Sequence, residues 1–474
     1  MDPMPAGEGL LIAGGTIVTM DPERRVIEDG AVLVRGTRIA AVGPRASVAA
    51  QAGRAETIDA TGGLVLPGFV NTHTHLFQTL LKGPGDDRPL YLWLREMTAP
   101  AASALTEEDC EAAALHGGVE AIRSGTTTIV DFMYPHPRPG LTDAVIRGLE
   151  PSGVRAIVCR GFVTRGMDLG IPGSIVQTLD VALADIERLV REHNAGDGLI
   201  RVGIAPCLLW MVDEAGLRAT REFADAYGTL ITYHLAETSF EVDYAMRTYG
   251  KRETEVLLNA GLLGPDLLGV HCTKLLDADI GTLGSFDVKV SHNPVSNMYL
   301  GSGVAPIPDM LKAGLTVGLA TDGPASNNNQ NMIHVLKYTA LLHKVAREDP
   351  VAMTAEKVLE MATIDGARAI GMGGEIGSLE AGKRADVTVM AFDNPFVAPV
   401  HDPVSSIVYA ALGTEARWVL VDGRVVLADG QLTTLDEDAV RERASRAAVD
   451  LARRAGFPTE RRAWQSLATR SSAH

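Results

Sequence analysis

The chain of 474 residues sets 43 Lys and Arg against 59 Asp and Glu, a formal net charge of −16, and is 46% hydrophobic and 22% charged. Such a chain is globular and long enough for a large core and more than one domain; its acidity, without any basic run, argues against nucleic acid and anionic membrane as partners. Four cysteines, Cys110, Cys159, Cys207 and Cys272, have no CxxC spacing, which argues against a disulfide framework or a structural zinc site.

The opening residues, MDPMPAGEGLLIAGG, show neither a basic n-region nor an apolar h-region, and no apolar run is long enough to cross a bilayer. The expectation is a cytoplasmic protein. Segment 1–64 reads as short strands cut by Gly and Asp, in LLIAGGTIVTM and AVLVRGTRIAAVG. Over 65–376 short apolar runs alternate with helical stretches: LVLPGFVNTH, TTTIVDF, VRAIVCRG, LIRVGIAP, TLITYHLAE, LLGVHC, VKVSHNP and LTVGLATD. Eight strands alternating with helices over roughly 300 residues predict a (β/α)₈ barrel, an α/β fold. Segment 377–432, with GSLEAGKRADVTVMAF and ARWVLVDGRVVLADG, returns to short strands, and the two flanking segments are expected to pair into one small domain. Segment 433–474 reads as a C-terminal helix and tail. Thr434 and Glu437 have capping-box spacing. Val440, Ala444, Ala447, Ala448 and Leu451 form an apolar stripe, and Gly456 and Pro458 stop it.

Within the first barrel run, Leu64, Val65 and Leu66 read as a buried strand and Pro67-Gly68 as a break or bulge in it. His73 and His75 follow; side chains two apart in a strand share a face, so both aim into one space. By itself such a pair is more often chance or a satisfied core pair than a metal site. Downstream, His234 follows the fifth run, His271 the sixth and His292 the seventh, and Asp322 ends the eighth. The C-terminal strand ends of a barrel form its active-site face, so these residues converge there. Three histidines and an aspartate with an open position suit a catalytic metal. Glu237, three residues after His234, brings a carboxylate over the same mouth. A glutamate at a helix start is favoured by the helix dipole in any case, but beside a metal-bound water an acid/base role is the stronger expectation. His116, His136, His193, His334, His343, His401 and His474 lack that setting and are assigned to surface or core.

LPGFVNTHTH, HLAET, GVHC, SHNPVSNMYLGSGVAPIPDML and TDGPASNN, followed by EKVLEMATIDGARAIGM and EIGSLEAGKRADVTVM, resemble the amidohydrolase superfamily, and within it the ATZ/TRZ branch of aminohydrolases and chlorohydrolases. The resemblance covers residues 10–430. It implies a distorted (β/α)₈ TIM barrel with a small composite β-sandwich built from the N- and C-terminal segments. It also implies one divalent metal ion per chain, usually zinc and sometimes iron, and a homodimer or higher homo-oligomer. Carried over by motif, the metal ligands are His73, His75, His234 and Asp322. Glu237 is the proton shuttle, Asp322 accepts the water proton, and His271 contacts the metal-bound water or the substrate, or is a fifth ligand. Relatives with two metals bridge them with a lysine after the fourth strand; RVGIAPCLLW offers none, which favours a mononuclear hydrolase acting on a ring carbon. The implied reaction is hydrolytic deamination of an amino-substituted N-heterocycle of nucleobase, pterin or s-triazine type. The alternatives are dechlorination of a chloro-s-triazine and deamination of an adenosine derivative.

The pocket departs from the nucleoside-directed cousins that the chain resembles. Thioadenosine/adenosylhomocysteine deaminases carry a glutamate for the ribose hydroxyls where Ala102 stands, and a histidine where Cys207 stands, which argues against a nucleoside. Arg160 matches one of their substrate-contacting arginines, with a salt bridge lining the barrel as an equal alternative. Gln78 and Trp93 match residues of the triazine hydrolases, and Trp93 equally reads as core packing. The run YLGSGVAP is close to the chlorohydrolase, whereas His292 in SHNP and the DGPASNN loop are deaminase-like. Ser326 and Asn327 are candidate pocket-rim residues, although an Asn-rich loop is also simply a turn. The base-editing type of zinc deaminase is excluded, since its HxE…PCxxC pattern is absent.

Overall fold

In the computed structural model eight parallel strands form one sheet in chain order. They are β1 (Phe69–Thr74), β2 (Thr126–Met133), β3 (Arg155–Phe162), β4 (Ile200–Pro206), β5 (Ile231–Leu235), β6 (Leu267–His271), β7 (Lys289–His292) and β8 (Val317–Leu319). Helices fill the crossovers, so the strands are covered on both faces and read as continuous apolar runs; every residue of β2 and β3 is buried. The structure describes residues 9–457; residues 1–8 and 458–474, with Pro458 and His474, lie outside the described residues.

β1 and β8 are the two ends of this sheet, and side chains close the seam between them. The Thr72 hydroxyl donates to the Leu319 carbonyl at 3.0 Å, and Asn71 Oδ1 accepts from the Thr321 amide at 3.0 Å. The Asp322 amide then donates to the His73 carbonyl at 3.1 Å. The seam therefore sets His73 and Asp322 side by side although they lie far apart in sequence.

One expectation fails here. Leu64–Leu66 belong to a separate strand, Gly63–Pro67, which pairs with Leu10–Val18 and Val387–Ala391 in the other sheet. At Gly68 the chain crosses from one sheet to the next: its amide donates to the Asp386 carbonyl, and the Phe69 amide to that of Gly125. A side chain at Gly68 would lie 2.1 Å from Thr127 Cγ2, so only glycine fits at the crossing. Both halves of LVLPGFV are fully buried, which is why the apolar pattern runs through the crossing without a mark.

The second sheet has nine strands and draws on both ends of the chain, as expected of a composite domain. Ile12, Ile17, Val32 and Val65 from the front half share one core with Val387 and Leu420 from the back half. Where this domain meets the barrel, Arg155 at the start of β3 donates to both oxygens of Asp386, at 3.2 and 3.0 Å, and to Asp422 at 3.3 Å. Arg155 and Asp386 are only 3% and 2% exposed. Arg155→Ala leaves a buried carboxylate without its counter-ion and is expected to cost about 3–5 kcal/mol. Equilibrium urea unfolding checks this, and a wild-type midpoint would show that the pair does not join the two domains energetically.

The C-terminal helix runs Glu437–Arg454 and buries Val440, Ala444 and Leu451, packing Val440 on Leu115 and Val119 of the helix Glu107–Arg123. Its cap differs from the expectation. Asp436 accepts from the Ala439 amide at 3.1 Å, whereas the Thr434 hydroxyl donates to the Pro151 carbonyl. Asp436 offers a carboxylate two residues closer to the first turn, and a capping carboxylate also meets the helix dipole. No helix among the described residues is long and apolar enough to cross a membrane.

Candidate metal centre and active site

Five side chains meet at the C-terminal mouth of the barrel. His73 lies in β1, and His75 follows it in extended backbone, so their rings point the same way, with centroids 4.7 Å apart. His234 is in β5, His271 ends β6, and Asp322 lies just past β8. Asp322 Oδ1 is 3.4 Å from His73 Nε2 and 3.5 Å from His75 Nε2. His73, His75 and Asp322 form one compact set of potential ligand atoms, and His73, His234 and His271 another.

The hydrogen bonds around the rings decide what this set can hold. His75 Nδ1 meets the Phe132 carbonyl at 2.7 Å, and His234 Nδ1 meets the Cys207 carbonyl at 3.1 Å. A carbonyl only accepts, so both Nδ1 atoms carry the proton. Burial, and then the neighbouring histidines, depress the pKa of both rings, that of His75 to about 3, so both are neutral and their Nε2 atoms are bare lone pairs. Those two lone pairs face each other at 3.3 Å. Neither nitrogen of the fully buried His73 ring has a hydrogen-bond partner among the described residues. Nitrogen lone pairs turned on one another beside a carboxylate are the arrangement a divalent cation satisfies, and ring protons tied to carbonyls are the usual support for it.

Glu237 stands at the edge of this set. Its Oε1 accepts from the Ser302 hydroxyl at 3.1 Å, and its Oε2 lies 3.5 Å from His271 Nε2. Burial, with Glu241 and Asp322 nearby, pushes its pKa well above the usual carboxylate range. His271 Nδ1 is held by Asn297 Oδ1 at 2.9 Å. Asp322 Oδ2 accepts from Ser296 at 2.6 Å and Ser326 at 3.2 Å.

The backbone is bent to make this arrangement. Ala236, His271, Cys272 and Asp322 all have positive φ, between 47° and 68°. Each such non-glycine residue costs about 1–3 kcal/mol and persists only when its surroundings over-determine it. Here they do: the Ala236 amide donates to the buried Glu253 at 2.8 Å, and the Asp322 amide to the His73 carbonyl at 3.1 Å.

A cavity opens onto the set. His75, His234, His271, Asp322 and Glu237 line one side; Gln78, Trp93, Tyr134, Cys207 and the leucines Leu90, Leu94, Leu208 and Leu300 line the rest. Gln78 thus stands where a substrate contact was expected. Trp93 lines the cavity and also packs as core, its indole N–H donating to the Ala325 carbonyl at 3.2 Å.

Four expected pocket residues do not line it. Arg160 turns to Asp185 at 3.2 Å and the Gly161 carbonyl at 2.9 Å, so the salt-bridge alternative holds; burial brings its pKa down to about 10. His292 Nε2 meets His343 Nε2 at 3.0 Å instead of facing the cavity. Ser326 sits behind the Asp322 carboxylate, and Asn327 donates to the Thr321 carbonyl at 2.7 Å, the turn its Asn-rich loop also suggested. Ala102 is fully buried and does not line the cavity. Sequence reasoning passed over Tyr134, which follows β2 as the histidines follow their strands, and Ser296, Asn297 and Ser302 within SHNPVSNMYLGSG. Strand-end position was a signal for Tyr134; nothing marked the four leucines.

Known proteins place this geometry. The model of the family described as amidohydrolase matches residues 64–426. A 5-methylthioadenosine/S-adenosylhomocysteine deaminase of Syntrophobacter fumaroxidans is 40% identical over 92% of this chain and 96% of its own. A 5'-deoxyadenosine deaminase of Methanothermobacter thermautotrophicus is 40% identical over 94% of this chain and 99% of its own. Among solved structures, an adenosine deaminase from Xanthomonas campestris with bound zinc has a TM-score of 0.88 at 30% identity, covering 95% of this chain and all of that one.

Proposed function

The chain belongs to the amidohydrolase family, and on that premise we propose that it is a hydrolytic deaminase, releasing ammonia from an amino-substituted N-heterocycle with one zinc or iron ion per chain. The observation that carries this reading is the meeting of bare histidine nitrogens, an aspartate and a buried glutamate on one cavity. His73, His75, His234 and Asp322 would hold the ion. When bound there, a divalent cation supplies a Lewis acid and brings the pKa of a water toward neutrality.

The remaining chemistry falls to the chain's own residues. Asp322, fixed from behind by Ser296 and Ser326, takes the proton of the attacking water. Glu237, steadied by Ser302, carries a proton to the ring nitrogen beside the attacked carbon, so negative charge does not build there. His271, fixed by Asn297, polarises the attacked centre. Trp93 and the leucines of the wall keep bulk water out. Burial pushes the pKa of the Cys207 thiol, just past β4, well above its usual range. All four cysteines are free and buried, which suits a reducing, cytoplasmic setting. A homo-oligomer belongs to the same reading.

The substrate we favour is a free base, pterin or triazine. With Leu90, Leu94, Leu208 and Leu300 on the walls and Cys207 among them, the cavity presents, among the described residues, no carboxylate toward a ribose diol besides the Glu237 and Asp322 of the reaction itself. A second reading, a 5'-substituted adenosine derivative, has the names of the relatives in its favour. Ammonia and chloride release from zinc- or iron-loaded protein, on aminopyrimidines, aminopurines, pterins, amino- and chlorotriazines and adenosine derivatives, separates the readings. Ammonia from a base-like ring is the expected result. Turnover of adenosine derivatives alone would establish the second reading, and chloride without ammonia would make the protein a dehalogenase.

A further inference from the structure

Glu253 is a buried carboxyl group that has no place on the cavity wall. It opens the helix Glu253–Ala260, where an acidic residue suits the helix dipole, yet it is only 3% exposed and turns back onto β5. Its Oε1 accepts from the hydroxyl of Tyr233, which is fully buried next to His234 in β5, at 2.6 Å. Its Oε2 accepts from the Ala236 amide at 2.8 Å. Burial pushes its pKa up to about 8. A dipole contact is available at the helix surface without that penalty, so the buried position has another reason.

What the carboxyl group grips is the turn that carries Glu237. Ala236, with a φ of 47°, stands between the end of β5 and Glu237. A non-glycine residue stays in that region only where its neighbours hold it. Glu253 takes the Ala236 amide. On the carbonyl side, the Lys274 amide donates to Ala236 at 3.0 Å, and the Thr273 hydroxyl reaches the carbonyls of Ala236 and Glu237. The Cys272 amide donates to the Leu235 carbonyl at 3.0 Å. Arg252, beside Glu253, donates to the Lys274 carbonyl and to Asp279, both at 2.7 Å. Arg252 and Glu253 therefore clasp the segments that leave β5 and β6, and the two segments bind each other. Glu237 sits on the first and His271 at the root of the second, 3.5 Å apart from Oε2 to Nε2.

We propose that Glu253 is a positioning residue for the proton transfer: through the Ala236 amide it fixes the turn that aims the Glu237 carboxyl group past His271 at the substrate ring. It acts from behind the cavity wall and touches neither ring nor metal. This inference rests on the deaminase reading and extends it to a residue outside the cavity.

The test is a double-mutant cycle on metal-loaded protein, with the best ring of the panel as substrate. It compares wild type, Glu253→Leu, Glu253→Gln, Glu237→Gln and Glu237→Gln/Glu253→Leu. Leucine fills the place of the glutamate and accepts no hydrogen bond, whereas glutamine keeps an oxygen for the Ala236 amide. Glu253→Leu is expected to lose about 10²-fold in kcat, the effect of a misplaced reacting group, with KM and metal content unchanged. Glu253→Gln restores most of that loss. In the Glu237→Gln background the leucine lowers kcat no further, because the group it misaims no longer delivers a proton. A merely structural role would lower kcat equally in both backgrounds; that result, or full activity of Glu253→Leu, would overturn the proposal. If Glu253→Leu does not fold, Tyr233→Phe/Glu253→Leu, which leaves no Tyr233 hydroxyl unpaired, takes its place in the cycle. Were wild type to release ammonia from no ring, the deaminase reading would fail, and hydrogen exchange of the Ala236 amide would decide the clasp by itself. Slow exchange in wild type and Glu253→Gln with fast exchange in Glu253→Leu supports it, and equal exchange in all three refutes it.

Discussion

Glu237→Gln is expected to fold, keep its metal and lose kcat by about 10²–10⁴-fold, the range a positioned proton donor supplies. The glutamine keeps the shape of the side chain and an oxygen for the Ser302 hydroxyl, so the 3.1 Å contact survives. It cannot deliver a proton. Glu237 is suited to deliver one because burial and the nearby Glu241 and Asp322 hold its pKa well above that of an ordinary carboxylate. An amide is neutral in that buried place at every pH, so the folded state is not weakened by the change. Metal analysis and a melting curve establish the intact site, and steady-state ammonia release gives the loss. A variant with near wild-type kcat would remove Glu237 from the chemistry.

His73→Ala acts on the other half of the site and is expected to be the most damaging single substitution there. Neither nitrogen of the His73 ring has a well-formed hydrogen bond among the described residues, and its Nε2 lies 3.4 Å from Asp322 Oδ1, an arrangement that a bound ion would satisfy. His73 belongs to both compact ligand sets, with His75 and Asp322 in one and His234 and His271 in the other. Removing it opens the coordination between β1 and β8 at once. The loss of metal affinity should exceed the roughly 10–100-fold that follows removal of a mere supporting residue, with activity falling in parallel. Metal content after dialysis against a weak chelator reads this directly. His73→Ala protein that retains wild-type metal would overturn the assignment of the ligand set.

How much of this was legible depended on where in the fold each residue lies. His73, His75, His234, His271 and Asp322 each close an apolar run, and a parallel barrel brings such ends together whatever the loops between them do. Glu237 was legible by its short offset from His234. The crossing at Gly68 was not, because a strand buried in one sheet and a strand buried in the next have the same composition. Arg160 and His292 were also on barrel strands, but side chains alternate between the inside of a barrel and its outer layer. Arg160 finds Asp185 on the helix Leu179–His193, and His292 finds His343 on the helix Met332–Arg347. A one-dimensional reading has no partner helix to weigh against the pocket. Tyr134 escaped notice for a related reason: a tyrosine at a strand end is ordinary until it is seen to line the cavity.

The central claim is that this site replaces a ring amino group by oxygen from water. The measurement that tests it most directly is turnover of the best substrate of the panel in heavy-oxygen water, with ammonia counted and the product weighed by mass spectrometry. One ammonia and one heavy oxygen per product molecule, both abolished in Glu237→Gln, is the predicted result. Product without the heavy oxygen, or heavy oxygen gained without ammonia lost, would contradict it.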